Sequence, residues 1–505
     1  MSVTYILLYL LIGVLSVAFY FVRKTFNYWK DRGIPYDEPH PIYGSFRGFR
    51  KDRVMQDIHF ALYKKFKGVA PFVGIFFFQR PTAFILDREL AKNILIKDFP
   101  VFADRGVYHN ERDDPLTGHL FALDGVKWKQ LRQKLSPTFT SGKMKFMFPT
   151  VVKVAEQFVH VLNDLLKEGN NFDVKELSAR FTTDVIGTCA FGIECNSLKD
   201  PNAEFRTMGR KAFYLTRHNG PVMALIQSHP KWARKLGMRI VHQDIHNFFM
   251  RIVHETVELR ESKDIKRNDF MDLLIELKKT KSIKLDNGEE LTGLTVNEVA
   301  AQAFVFFLAG FETSSTAMSY TLYELAKNQV VQDKLRKEVN EVLAKHNQEF
   351  TYECMKEMHY LDQVLFEILR LYTIVPHLMR QPTRDYVVPG HPKLVIEKGT
   401  FVMIPSSAYH HDPEVYPEPA KFDPDRFSPE KVQDRDNINW LPFGDGPRNC
   451  IGLRFGKMQA RIGLALLMKN FKFSVCEETQ IPIVFDVKSF VLSAKDGIHL
   501  RVEKI

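Results

Sequence analysis

The chain opens on an uncharged apolar run, "VTYILLYLLIGVLSVAFYFV", from Val3 to Val22. A helix of that length reaches about 30 Å, the thickness of a bilayer's hydrocarbon core. Arg23, Lys24, Lys30 and Arg32 follow at once, and cations on that flank hold the C-terminal body on the cytosolic side. A cleaved leader would need a basic start, a shorter apolar stretch and a small-residue cleavage site, and none is found. Pro35, Pro39, Pro41 and Gly44 then forbid helix. Residues 1–22 are expected to form a single membrane anchor, and 23–50 a basic, proline-rich hinge that acts as a semi-rigid spacer. From Asp52 to about Phe102 a short helical stretch gives way to β-like runs, "VAPFVGIFF" and "TAFILD". Between Gly125 and Lys345 apolar positions recur at helical spacing with few breaks, so long helices should dominate. Beyond Pro376, β-like pieces such as "LVIEKGTFVMIP" alternate with proline-rich loops. No repeat or linker divides this body. The pattern predicts one domain over residues 51–505, mainly α with small peripheral β-sheets.

Composition narrows the class. Of 505 residues, 45% are hydrophobic and 26% charged, the balance of a globular chain and not a disordered one. The five cysteines are Cys189, Cys195, Cys354, Cys450 and Cys476. They show no CxxC spacing and no adjoining histidine cluster, which argues against a disulfide framework and against a zinc site. The formal net charge of +10 suits a membrane surface or an acidic protein partner. No recognition motif or basic arm points to nucleic acid.

Candidate chemistry gathers around "FGDGPRNCIG", Phe443 to Gly452. An isolated cysteine in a turn is usually inert, and no His and acid arrangement marks this one as a nucleophile. A thiolate can also serve as a soft metal ligand. Gly446 and Gly452 would let the backbone approach a flat cofactor, Phe443 would shield one side, and Arg448 would pair with an acidic substituent. Three further motifs stand elsewhere. "FEILR" sets Glu367 and Arg370 on one helical face, ordinarily a surface ion pair. "AGFETS" puts Ala309, Gly310, Glu312 and Thr313 inside a long apolar helix, where the plain alternative is a hydroxyl bonded to the preceding turn. "WKQLRQKL" sets Trp128 and Arg132 one turn apart, as a surface stack also would.

The loop satisfies Phe-x-x-Gly-x-Arg-x-Cys-x-Gly at every position, and with the other motifs in this order the chain resembles the cytochromes P-450, the haem-thiolate monooxygenases. The texture is most similar to insect microsomal members. The resemblance implies haem b with Cys450 as the axial iron ligand, and dioxygen activated beside Ala309 and Gly310 with Glu312 and Thr313 delivering protons. It implies a structural triad of Glu367, Arg370 and Arg426, and a cofactor edge met by Trp128, Arg132, Arg380 and Arg448. His411 stands where relatives often carry arginine, so its role stays open. A pocket wall is expected from Phe121, Phe304, Phe307 and Phe490. One atom of dioxygen would be inserted into a lipophilic substrate, either a xenobiotic such as an insecticide or an endogenous lipid or hormone. No flavin or nicotinamide fingerprint occurs in the chain. Electrons from NADPH would therefore come through cytochrome P-450 reductase at the endoplasmic reticulum membrane, with cytochrome b5 as an optional second donor. Arg454, Lys457 and Arg461 are candidates for its docking face, or for a simple solvated helix face. A haem-thiolate isomerase, a membrane-anchored haem sensor and a cysteine hydrolase are the competing readings.

Overall fold

The computed structural model describes residues 3–267, 269–280, 283–284, 290–291, 293–489 and 491–505. Helix α1 spans Val3–Phe26, and its described apolar side chains from Val3 to Phe21 stand exposed. Among the described residues no helix is long and apolar enough to cross a membrane. Ile6, Val14, Leu15 and Ala18 of the apolar run lie outside the described side chains.

In chain order the elements that matter for the site are α2 (Met55–Phe66), β1 (Phe72–Phe77) and β2 (Arg80–Ile85), then α3 (Gly125–Leu135), α4 (Ser141–Leu165) and α5 (Val174–Ile186). The long α6 (Val296–Lys327) and α7 (His359–Leu371) follow. Last come β3 (Leu378–Arg380), β4 (Phe401–Ile404) and α8 (Leu453–Asn470). The body is mainly helical. Its four-stranded sheet runs β1-β2-β4-β3, with β2 and β4 parallel and the other neighbours antiparallel. A smaller sheet joins Phe471–Val475, His499–Lys504 and Asn171–Asp173. One hydrophobic cluster fills the space among the helices and a second lies under the four-stranded sheet.

Helix α6 is the axis of the larger cluster. It starts at a reciprocal cap: Thr295 Oγ1 accepts from the Glu298 N–H, and the Glu298 carboxylate accepts from the Thr295 N–H at 2.7 Å. Its 32 residues pack along α5 and α8.

The segment expected to be a spacer is docked instead. Helix α1 ends at Phe26, ahead of the prolines, and Trp29 is fully buried, its Nε1–H donating to the Ile75 carbonyl at 3.1 Å. Its ring occupies the space that a Cβ on Gly74 would need, so the glycine in β1 is there for this contact. Gly74 also exchanges backbone bonds with Pro35 and Asp37. Arg32 forks onto Glu397 with two bonds of 2.9 Å, and its guanidinium lies 3.7 Å over the Tyr28 ring.

The pair read from "FEILR" is no surface pair. Glu367 and Arg370 are both fully buried, joined at 2.7 and 2.8 Å through two parallel bonds. Arg426 Nε stands 3.5 Å from the same carboxylate, and its Nη2 donates to the carbonyls of Pro417 and Glu418. Arg370 reaches the carbonyls of His410, Pro419 and Lys421. One carboxylate thus fastens α7 to the meander that leads into the cysteine loop. Removing one member strands buried charge, at a cost of about 3–5 kcal/mol. Glu367→Ala is expected to lower the thermal unfolding midpoint sharply or to leave the chain aggregated. A midpoint equal to the parent's would contradict the role.

Candidate active site

A cavity of about 340 Å³ lies among α3, α6, β3, the N-terminus of α8 and the loop from Phe443 to Gly452. Its walls are mostly apolar, and the polar groups that reach it come from a few places.

The loop is closed by the Cys450 N–H, which donates to the Phe443 carbonyl at 2.8 Å. Phe443 lines the cavity and its ring meets Trp440. Gly446 holds φ +70°, and a Cβ there would collide with the Leu95 carbonyl. Its freedom serves close approach to neighbouring backbone, not to a cofactor, a correction to the expectation. Gly452 does border the cavity, and a Cβ there would meet nothing within 4 Å. The Cys450 side chain is exposed by area yet enclosed by protein, because its free surface faces the cavity. Burial pushes its thiol up. The Gly452 N–H, Arg132 and Arg105 oppose that by favouring the thiolate.

Arginine side chains converge on one side. Arg132 donates to the carbonyl and side-chain oxygen of Asn449 at 2.9 and 2.8 Å. Arg448 is buried, lies 4.0 Å over the Trp128 ring and donates to the Leu123 carbonyl. Its Nε and Nη1 have no partner, and neither has Nε of the buried Arg380. Burial comes first in pulling Arg448 down to about 8 and Arg380 to about 9, with repulsion from Arg105 adding to it. A guanidinium keeps its proton regardless, so these shifts register unmatched positive charge. Arg105, pulled down to about 10 by burial and Arg132, completes the group. It donates to the carbonyls of Phe121 and Arg448. Among the described residues the acids that bear on this cluster are Asp124, 3.7 Å from Arg448 Nη2, and Asp104, leaving two more cations than carboxylates. A cavity with a thiol on one wall and surplus buried guanidiniums on another fits a flat apolar group carrying two carboxylates. Sequence reasoning missed Arg105, since a lone arginine in "FADRGVYHN" belongs to no spacing pattern.

Helix α6 divides its residues by phase. Val305, Phe306, Ala309, Gly310 and Thr313 face the cavity. Thr313 Oγ1 donates to the Ala309 carbonyl at 2.6 Å. The next two carbonyls are also taken by side chains: Gly310 O accepts from Gln459 Nε2 at 2.8 Å, and Phe311 O from Thr182 Oγ1 at 2.9 Å. Gly310 is on the cavity wall, and a Cβ there would also run into Ile186 of α5. Glu312 is buried but does not line the cavity. Burial raises its pKa, while Lys175 and Arg206 pull it back.

Phe121 lines the cavity beneath the Arg105 guanidinium, 4.2 Å away. Phe304 and Phe307 do not. At i and i+3 they fall on the opposite face of α6 and join an aromatic cluster with Phe249, Phe205 and Phe191. Residue type suggested the pocket, and helical phase decides for the core. Phe490 lies outside the described residues. His411 is away from the cavity, its ring against Phe60 and its Nδ1 3.0 Å from the Ser407 carbonyl. Of the proposed docking cations, Arg461 is buried, paired with Asp362 at 3.2 Å and bonded to the Met355 carbonyl. Lys457 rests its ammonium 4.2 Å over the Phe366 ring and is pulled down by burial. Arg454 alone of the three is exposed.

The comparisons with known proteins agree with this geometry. The family model described as Cytochrome P450 matches residues 34–501. The chain is 58% identical to Cytochrome P450 6a2 of Drosophila melanogaster over 505 residues, 99% of this chain and 100% of that one. It is 56% identical to Cytochrome P450 6a8 of the same fly over 506 residues, 100% of both. It is 51% identical to Cytochrome P450 6A1 of Musca domestica over 502 residues, 99% of this chain and 98% of that one. With the cysteine loop, the buried triad and the arginine-lined cavity in place, the chain belongs to the cytochrome P450 family and is a monooxygenase.

Proposed function

We propose that the cavity binds haem b, whose iron Cys450 would ligate, and that the enzyme oxidises lipophilic small molecules with electrons from NADPH through a flavoprotein reductase. The observation that carries the reading is one cavity with both a thiol and unpartnered buried guanidinium nitrogens on its walls. Bound haem supplies the iron at which dioxygen is activated. The chain supplies the rest. The Gly452 N–H, the positive end of α8 and the nearby arginines stabilise the sulfur as thiolate. Arg380, Arg448 and Arg132, with Arg105, would take the two acidic groups of the cofactor, and Trp128 and Phe443 would border it. Ala309 keeps the helix wall shallow. The proton of Thr313 points to Ala309 O, which leaves the oxygen lone pairs free to hold a water on the cavity side. Glu312, one residue away and with a raised pKa, is the proton reservoir behind it.

The membrane reading rests on the run from Val3 to Val22 and on the cations that follow. It puts the body on the cytosolic face of the endoplasmic reticulum, within reach of the reductase and of cytochrome b5. Lys129 on α3, whose Arg132 bonds Asn449, and Arg454 at the start of α8 are exposed beside the cysteine loop, and they suit an acidic partner face.

The first test is the carbon monoxide difference spectrum of the dithionite-reduced protein. A strongly red-shifted Soret band, lost in Cys450→Ala, is expected, and a haem spectrum without that shift would overturn the assignment. Thr313→Val is expected to lower product formed per NADPH consumed, by up to about 10²-fold, without loss of the band. Unchanged coupling would remove Thr313 from proton delivery. Arg454→Glu should weaken reductase-supported turnover and spare peroxide-supported turnover, and equal loss in both assays would end the docking idea.

A further inference from the structure

We propose that His377 is a hydrogen-bond donor to substrate, selecting lipophilic molecules that carry an acceptor oxygen such as a ketone, ester or ether. This rests on the reading of the cavity as a monooxygenase site. His377 lines the cavity between Val375 and Leu378, on a wall otherwise formed there by apolar side chains such as Ile374. Burial pulls its pKa down to about 4, so the ring is neutral at physiological pH. Its Nδ1 is sealed from solvent and has no hydrogen-bond partner. The ring's described contact is with His59 of α2, edge-on, with centroids 5.1 Å apart and planes at 87°.

A neutral imidazole has one N–H and one bare nitrogen. A sealed N–H without an acceptor is the costlier arrangement, because buried backbone-like donors are almost always paired. The hydrogen-bond pattern therefore assigns the proton to Nε2, the nitrogen that is not sealed, on a ring that borders the cavity. A histidine buried for packing alone would be expected to satisfy its polar atoms. Here the His377 ring keeps an unpartnered nitrogen, Nδ1. His59 is fully buried, with its Nδ1 3.4 Å from Ser407 Oγ. It acts as a fixed buttress that holds the His377 ring edge-on. The arrangement keeps one directional donor on a greasy wall, the pattern by which a mostly apolar pocket fixes ligand orientation.

The test uses the haem-loaded, full-length protein and a matched pair of probes, decalin and 1-decalone, titrated by the ligand-induced shift of the Soret band. The ketone-to-hydrocarbon affinity ratio is expected to fall about tenfold from wild type to His377→Leu, with decalin affinity unchanged. His377→Gln, which restores an N–H donor, should recover most of the ratio. An unchanged ratio in His377→Leu, or equal loss for both probes, would overturn the proposal. Should His377→Leu fail to load haem, His377→Phe takes its place under the same criterion. The carbon monoxide band separates the two readings. A normal thiolate band with an unchanged ratio defeats only the donor role, whereas absence of the band in wild type defeats the site assignment itself.

Discussion

Uncompensated positive charge around the cavity is the constraint on which the rest of the fold depends. Arg105, Arg380 and Arg448 are taken out of water with only part of their hydrogen-bonding capacity used, and the nearby aspartates do not balance them. Burying charge in this way is expensive unless an anion arrives. The scaffold must therefore be stable enough elsewhere to carry that cost, and the buried Glu367–Arg370 pair, the aromatic cluster along α6 and the docked N-terminal segment are where it is anchored. A dianionic cofactor would bind the folded chain and not the unfolded one, so its binding energy adds directly to stability. Cofactor loading and folding are then one equilibrium seen from two sides.

Much of the site could be read from the sequence because its chemistry is local. The cysteine loop, the Trp128 and Arg132 turn and the "FEILR" helix are short patterns whose members touch the same target, so spacing alone groups them. What escaped was set by direction. Phe304 and Phe307 have the residue type for a pocket wall, yet the turn of the helix carries them to Phe249. Gly446 looks like a clearance for a cofactor and makes room for Leu95, while Gly310 borders the cavity and makes room for Ile186 as well. Lys457 and Arg461 are charged residues that sequence reasoning assigns to solvent by default, and an aromatic face and an aspartate draw them inward. Arg105 carries no local pattern at all, and only the fold brings it to the cavity.

The proline-rich segment teaches the same lesson from another side. The helix already ends at Phe26, ahead of the prolines, and prolines say nothing about whether the chain around them is free. Trp29 under β1 and the Arg32 fork on Glu397 make it part of the sheet's own packing. The body consequently holds the end of α1 at a set direction, since Phe26 packs on Phe76 and the first residues after the helix are tied to strands.

Three successive carbonyls of α6, those of Ala309, Gly310 and Phe311, each share their lone pairs with a side-chain donor. Bonds divided in this way hold a helix less stiffly, and inserted hydroxyl and amide donors are a known cause of bending. That turn borders the cavity and is tied from outside the helix by two different neighbours, Thr182 on α5 and Gln459 on α8, so a displacement of either helix pulls on the backbone at the cavity wall.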